Sequence, residues 1–114
     1  MGNRLARIMT RKYRNRPCVW GGVKFASQRE RDRYIELKAL EQQGKILWFE
    51  HQPKPFILTP KNNKFRKMTY QPDFMICYTH GIEYEDTKGF ITDVFKVKQK
   101  VLWHFFGIYV KVVK

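Results

Sequence analysis

The first long segment with a helical pattern lies at 27–43. Apolar side chains recur every three or four residues between Tyr34 and Leu40, which is the period of an amphipathic helix. Ser27 is a favourable N-cap, and Glu30 stands three residues later, at the spacing of a capping box. The pattern therefore predicts a helix that begins after Ser27 and carries Glu30 close to its inward face.

The segments after this helix are typical of β-strands. Residues 46–58 are largely apolar but contain two prolines, which indicates an edge strand or a bend. Residues 68–78 are rich in aromatic and apolar side chains, and 82–88 follow them after the turn signal His80-Gly81. This pattern predicts an antiparallel hairpin formed by 68–78 and 82–88.

A second helical pattern precedes one final strand. Thr92 or Asp93 can cap a helix over 93–106, and the β-branched residues of 108–113 predict a strand after it. A strand–helix–strand order favours a parallel pair, whereas the preceding hairpin is antiparallel. We therefore expect an α/β fold, a mixed sheet flanked by helices, with the order α-β-β-β-α-β. The inward face of the second helix is predicted at Val94, Val97, Val101, Leu102 and Phe105.

Composition adds a basic surface to this picture. The 114 residues fit one domain, and 23 Lys and Arg against 10 Asp and Glu leave a net charge of +13, which attracts nucleic acid. We predict a flexible basic N-terminal arm at 1–17 and one folded domain at 18–114. The candidate nucleic-acid contacts are Arg4, Arg7, Arg11, Lys12, Arg14, Arg16, Lys61, Lys64, Arg66, Lys67, Lys96 and Lys100.

Other classes of protein fit the sequence less well. No apolar run is long enough to span a membrane, and the N-terminus lacks the apolar stretch of a signal peptide. Cys18 and Cys77 do not have the spacing of a zinc site, so we expect reduced thiols. These features favour an intracellular protein without a membrane partner.

Two carboxylates and a lysine are expected to converge on the predicted hairpin. Side chains alternate along 82–88, so Asp86 and Lys88 share one face, and pairing across the turn brings Asp73 opposite them. Mg²⁺ prefers oxygen ligands, which Asp73, Asp86 and the backbone carbonyl of Thr87 can supply. Lys88 can orient an attacking water or stabilise the charge of a phosphate.

Alternatives remain for several of these side chains. Glu30 can contribute to a second metal ion or only to its helix cap. Glu85 faces away from Asp86, but a β-bulge would let it compete for the metal. Asp86 and Lys88 can also form an ordinary surface ion pair, and Asp73 can be a strand-end residue that pairs with a basic side chain.

The ordered set Glu30, Pro72-Asp73 and Asp86-Thr87-Lys88 resembles the signature of the PD-(D/E)XK nuclease superfamily. More narrowly, Phe25 and Ser27 before Glu30, then "YQPDF" and "DTKG", are similar to the phage endonuclease I family of Holliday-junction resolvases and to small phage proteins with the same nuclease core. The resemblance covers residues 23–113. One departure is Asp86, because endonuclease I has a glutamate at the matching position.

The resemblance implies a restriction-endonuclease-like fold and a DNA endonuclease that depends on Mg²⁺, for which Mn²⁺ can substitute. It implies hydrolysis of phosphodiester bonds in branched DNA, a homodimer, and a bacterial or phage-infected cytoplasm. The residues it suggests for catalysis are Glu30, Asp73, Asp86 and Lys88. Two alternatives are a nicking or restriction-like nuclease of the same superfamily and a basic protein that binds nucleic acid without cutting it.

Overall fold

The structure is a computed structural model that describes residues 16–113. Two helices and a mixed sheet confirm the predicted α/β class. In chain order the elements are β1 (Cys18–Trp20), β2 (Val23–Phe25), α1 (Gln28–Gln42), β3 (Trp48–His51), β4 (Phe56–Thr59), β5 (Met68–Tyr70), β6 (Phe74–Tyr78), β7 (Gly81–Thr87), α2 (Asp93–Phe106) and β8 (Val110–Val113). The predicted arm at 1–17 lies outside the described residues, except for its last two positions.

A four-stranded sheet with the order β3-β6-β7-β8 forms the centre of the described domain. The β6–β7 hairpin is antiparallel, and its register pairs Phe74 with Glu85. The last strand, β8, runs parallel to β7, with Tyr84 opposite Val110. Both directions agree with the prediction. Strand β8 is parallel to β7 because the α2 crossover returns the chain to the end of the sheet at which β7 begins.

The structure divides each of two extended segments, 46–58 and 68–78, into two strands. Residues 46–58 separate into β3 and β4 where Gln52 takes a positive φ of 50° and prolines follow at 53 and 55. Pro72 likewise separates β5 from β6. Since proline donates no backbone hydrogen bond, the sheet cannot continue through these positions. Strands β4 and β5 instead pair with each other as a separate hairpin.

Apolar side chains fill both faces of the central sheet. Helix α1 covers one face, and the buried residues there are Leu37, Ile46, Phe74 and Ile76. Helix α2 and the β4–β5 hairpin cover the other face, where the buried residues are Leu58, Tyr70, Phe95, Leu102 and Val110. The β4–β5 hairpin therefore belongs to the same core as α2.

The inward face of α2 differs from the prediction. Val94, Val97 and Phe105 are 64%, 55% and 66% exposed, whereas Phe95 and Leu102 are buried. Between these two, the side chain of Gln99 accepts a hydrogen bond from the amide of Val110 and donates one to the carbonyl of Ile108. The face of α2 that packs on the sheet is therefore formed by residues 95, 99 and 102. Neither helix within residues 16–113 is long and apolar enough to cross a membrane.

Candidate functional site

Asp73 and Asp86 lie together at the end of the β6–β7 hairpin that is remote from its turn. Asp73 directly precedes β6, one register position beyond the pair formed by Phe74 and Glu85, and this position is opposite Asp86. The Oδ2 atom of Asp73 accepts hydrogen bonds from the amide of Thr87 (2.8 Å) and from its hydroxyl (2.7 Å). The hairpin therefore brings the two carboxylates together, as strand pairing predicts.

Lys88 completes this group of charged side chains. Its Nζ atom lies 3.2 Å from Oδ2 of Asp86, and the Asp86 side chain is almost entirely buried. The same ammonium group lies 4.6 Å from the centroid of the Phe95 ring, at the distance of a cation–π contact. Asp73, Asp86 and Lys88 thus meet, while their metal-binding and catalytic roles stay predictions.

Tyr70 is a further member of the site that the sequence pattern does not indicate. Its hydroxyl donates a 2.5 Å hydrogen bond to Oδ2 of Asp86, the oxygen that also faces Lys88. Tyr70 belongs to β5 and reaches β7 only because the β4–β5 hairpin packs on the α2 side of the sheet. The one sequence signal is its place in "YQPDF", three residues before Asp73.

The electrostatic environment favours a protonated Asp86. Burial, followed by the neighbouring carboxyl group of Asp73, raises the pKa of Asp86 to about 7, against the opposing effects of Tyr70 and Lys88. Burial and then the charge of Asp86 raise the pKa of the Tyr70 hydroxyl far above its usual range, so the phenol stays a proton donor. A cation placed between the two carboxylates would relieve this accumulation of negative charge.

Glu30 is buried at the start of α1, where its carboxylate has other partners. Its Oε2 atom accepts a hydrogen bond from the amide of Ala26 (2.8 Å), and its Oε1 atom lies 2.9 Å from Nε2 of His51. The amide of Glu30 donates to the hydroxyl of Ser27, which confirms the predicted N-cap. The carboxylate binds the amide one residue before the cap, so the arrangement is a capping box displaced by one position.

The structure does not bring Glu30 into one metal-binding group with Asp73 and Asp86. Within residues 16–113, no three acidic, histidine or cysteine side chains are placed to hold an ion together. The connection between the two places runs through Gln52, whose amide donates to the carbonyl of Asp73 (2.7 Å). The side-chain amide of Gln52 lies 3.5 Å from Glu30, so Gln52 bridges the cap and the acid pair.

Glu85 faces α1 and does not compete with Asp86. Arg33 donates two hydrogen bonds to its carboxylate, at 2.7 Å and 2.8 Å, and Glu85 is buried. The β6–β7 register runs without a shift from Phe74 to Tyr78, so no bulge turns Glu85 towards Asp86. Arg33 lies three residues after Glu30 on α1, and this helical spacing is the signal that could have predicted an inward Arg33.

Thr87 contacts the site through groups other than the predicted one. Its amide and hydroxyl hold Asp73, whereas the metal ligand expected from the sequence is its carbonyl oxygen. The strand ends directly after it, where the amide of Lys88 donates to the carbonyl of Val113. The loop that follows is covered by Arg29, whose guanidinium occupies the space that a Cβ atom at Gly89 would need. Arg29 is thus a cation beside the loop that follows Lys88.

The candidate nucleic-acid contacts lie in three places. Arg4, Arg7, Arg11, Lys12 and Arg14 are outside the described residues, and Arg16 is exposed at their edge. The connection between β4 and β5 carries four exposed cations, which are Lys61, Lys64, Arg66 and Lys67. Lys96 and Lys100 are exposed on α2, and Nζ of Lys96 lies 3.8 Å from Asp93. All the described members of the set are therefore accessible to solvent, and their contact with nucleic acid stays a prediction.

The fold and these contacts define an α/β protein that carries an acid pair and a lysine at one end of a mixed sheet. The chain belongs to the family described as "Protein of unknown function (DUF1064)", whose model matches residues 10–112. No curated protein and no solved structure matches the chain significantly.

Proposed function

We propose that this protein is a metal-dependent endonuclease of the PD-(D/E)XK type that hydrolyses phosphodiester bonds in DNA. The observation that carries the proposal is the meeting of Asp73, Asp86 and Lys88 at one end of the β6–β7 hairpin. Two carboxylates beside an ammonium group are the side chains that metal-assisted phosphodiester hydrolysis requires.

The donor set fits a hard divalent cation. Asp73 and Asp86 would hold Mg²⁺ or Mn²⁺ through carboxylate oxygens, with the carbonyl of Thr87 as a further ligand. When bound, such an ion supplies Lewis-acid stabilisation of the charge that develops on the phosphate. The closeness of the two carboxylates supports this fit. Burial and the neighbouring Asp73 disfavour the charged form of Asp86, and a cation between the two carboxylates would relieve this accumulation of negative charge.

The remaining side chains of the site position these groups. Thr87 holds the Asp73 carboxylate through two hydrogen bonds, and Tyr70 holds that of Asp86. Lys88 can donate to a phosphate oxygen or to the attacking water, because its amine is directed to the acid pair by Asp86. In this proposal Glu30 supports the structure around the start of α1, since its carboxylate already binds the amide of Ala26 and the ring of His51.

Branched DNA, such as a four-way junction, is the proposed substrate, and a homodimer the proposed assembly. Both rest on the resemblance to endonuclease I, and such a substrate would place the protein in a bacterial or phage-infected cytoplasm. The net charge of +13 supports a polyanionic partner. A second candidate is a protein that binds DNA without cutting it, and the engagement of Glu30 by other partners favours it.

A cleavage assay tests the proposal. Labelled four-way junction and linear duplex of the same arm sequence are incubated with Mg²⁺ or with EDTA. The variants are Asp73→Asn and Lys88→Ala, and Asp32→Asn is the control, because it removes the same charge from an exposed position that pairs with Arg31. We expect cutting of the junction with Mg²⁺ by the wild type and by the control, and loss of cutting in the other two variants with binding retained.

The other outcomes separate the candidates. Equal cutting of junction and duplex keeps the nuclease and removes the preference for branches. Tight binding without cutting under Mg²⁺ or Mn²⁺ contradicts the enzymatic proposal and favours the DNA-binding candidate. Cutting by Lys88→Ala at the wild-type rate would remove Lys88 from the mechanism.

A further inference from the structure

The connection between β4 and β5, which we call the basic tip (residues 60–67), combines positive charge with an exposed aromatic ring. All of its residues are exposed, and its charged side chains are four cations with no carboxylate among them. Phe65 lies between Lys64 and Arg66 and is 72% exposed, more than any other large hydrophobic side chain in residues 16–113. Such a ring contributes nothing to the core of the domain.

The exposure of Phe65 results from an ordered turn. The side-chain oxygen of Asn62 accepts hydrogen bonds from the amides of Lys64 and Phe65, both at 2.8 Å. The amide of Asn62 donates to the carbonyl of Phe65 at 3.0 Å. These three bonds fix the backbone that presents the ring to solvent, between two cationic side chains.

The base of the same hairpin is joined to the acid pair. Leu58 and Tyr70 are buried in the core beneath the tip, and the Tyr70 hydroxyl binds Asp86. Phe65 lies five positions before Tyr70, so their Cα atoms are at most about 18 Å apart. One turn of duplex DNA is roughly 34 Å long. The basic tip therefore lies within the length of one duplex turn of Tyr70, whose hydroxyl binds Asp86.

We propose that the basic tip is a DNA-binding element in which Phe65 stacks on an unstacked base while the surrounding cations contact phosphates. Aromatic rings bind nucleic acid by stacking on base faces, and lysine and arginine neutralise the backbone. In an intact duplex the base faces are covered by their neighbours. The ring thus selects DNA with a branch or a single-stranded gap, where a base face is open. This inference rests on the proposed function in taking DNA as the partner.

Binding measurements in EDTA test the inference without cleavage. The probes are a duplex with a short single-stranded gap, which carries 2-aminopurine in the gap, and the intact duplex of the same sequence. The variants are Phe65→Ala and Phe65→Trp, and Tyr109→Ala is the matched control. Tyr109 is 71% exposed and precedes β8, towards the end of the sheet opposite the acid pair.

Phe65→Ala should weaken binding of the gapped duplex roughly 5- to 150-fold, the range measured for the loss of one stacked base, and should change binding of the intact duplex by less than about twofold. The fluorescence quenching of 2-aminopurine by the wild type should disappear in Phe65→Ala and persist in Phe65→Trp. Tyr109→Ala should behave like the wild type. Because Phe65 is exposed, we expect all variants to fold, which their thermal melting checks.

Several results would overturn the inference. Unchanged affinity of Phe65→Ala for the gapped duplex would exclude stacking by this ring, and an equal loss in Tyr109→Ala would show a nonspecific effect of removing aromatic surface. Either result, together with Mg²⁺-dependent cutting by the wild type, removes the inference and keeps the proposed function. Failure of the wild type to bind either DNA or the four-way junction removes both.

Discussion

The hydroxyl of Tyr70 and the carboxylate of Asp86 are joined by a 2.5 Å hydrogen bond in the interior of the protein. This contact connects the small β4–β5 hairpin to the central sheet, because Tyr70 is the last residue of β5 and Asp86 lies in β7. Lys88 approaches the same carboxylate oxygen at 3.2 Å. The position of the Asp86 carboxylate therefore depends on a hairpin that lies outside the central sheet.

Tyr70→Phe should destabilise the protein and disturb the acid pair. Removal of the hydroxyl leaves the buried Asp86 without one donor, and we expect a loss of about 1–3 kcal/mol in the free energy of unfolding, measured by urea denaturation. Tyr109→Phe is the control, because the Tyr109 side chain is exposed. Equal stability of Tyr70→Phe and the wild type would show that this hydrogen bond does not stabilise the fold.

Asp86 should make the metal-free protein less stable as the pH rises. Its folded-state pKa of about 7 lies above the value of about 3.9 expected in the unfolded chain, so the folded state binds the proton more tightly. The stabilising contribution of the protonated carboxyl group is complete below about pH 4 and is lost as the pH rises through about 7. Asp86→Asn should remove this dependence.

The measurement is urea denaturation in EDTA at several values between about pH 5 and pH 8, and the difference between Asp86→Asn and the wild type is followed. Asp73→Asn is a useful second variant, because Asp73 helps to raise the pKa of Asp86 and its replacement should shift the loss to lower pH. A difference that stays constant across this interval would contradict a raised pKa of Asp86.

The ion pair between Arg33 and Glu85 should stabilise the fold without a part in catalysis. Arg33→Met leaves a buried carboxylate unpaired, and we expect a loss of about 3–5 kcal/mol in the free energy of unfolding. The double variant Arg33→Met with Glu85→Leu should recover much of this loss, because both charges are then absent. Urea denaturation measures both, and a double variant as unstable as Arg33→Met would refute the explanation.

Glu30 can be assigned by comparing stability with metal binding. Glu30→Ala removes the acceptor for the amide of Ala26 and the partner of His51, so we expect a loss of about 1–3 kcal/mol in unfolding free energy. We expect little change in Mn²⁺ affinity, measured by calorimetry, whereas Asp73→Asn should weaken it strongly. A large loss of Mn²⁺ affinity in Glu30→Ala, at temperatures where the variant is folded, would show that Glu30 takes part in metal binding.

Much of the site could be predicted because it depends on local periodicity. Alternation along β7 separates Asp86 from Glu85, and the hairpin turn sets which residues of β6 and β7 pair. The Ser27 cap follows from the residues of one helical turn. In contrast, the inward face of α2 could not be predicted from its apolar positions, because Gln99 and the packing of Phe95 decide the rotation of this helix.

The sequence by itself determined the α/β class, the antiparallel hairpin, the parallel last strand and the faces of Asp86 and Glu85. Each of these depends on residues that are close along the chain or on the period of one element. Only the tertiary structure decided that Tyr70 binds Asp86, that Arg33 binds Glu85 across 52 residues, and that Glu30 binds His51. These contacts join elements whose relative placement is set by the packing of both faces of the sheet, which no local pattern encodes.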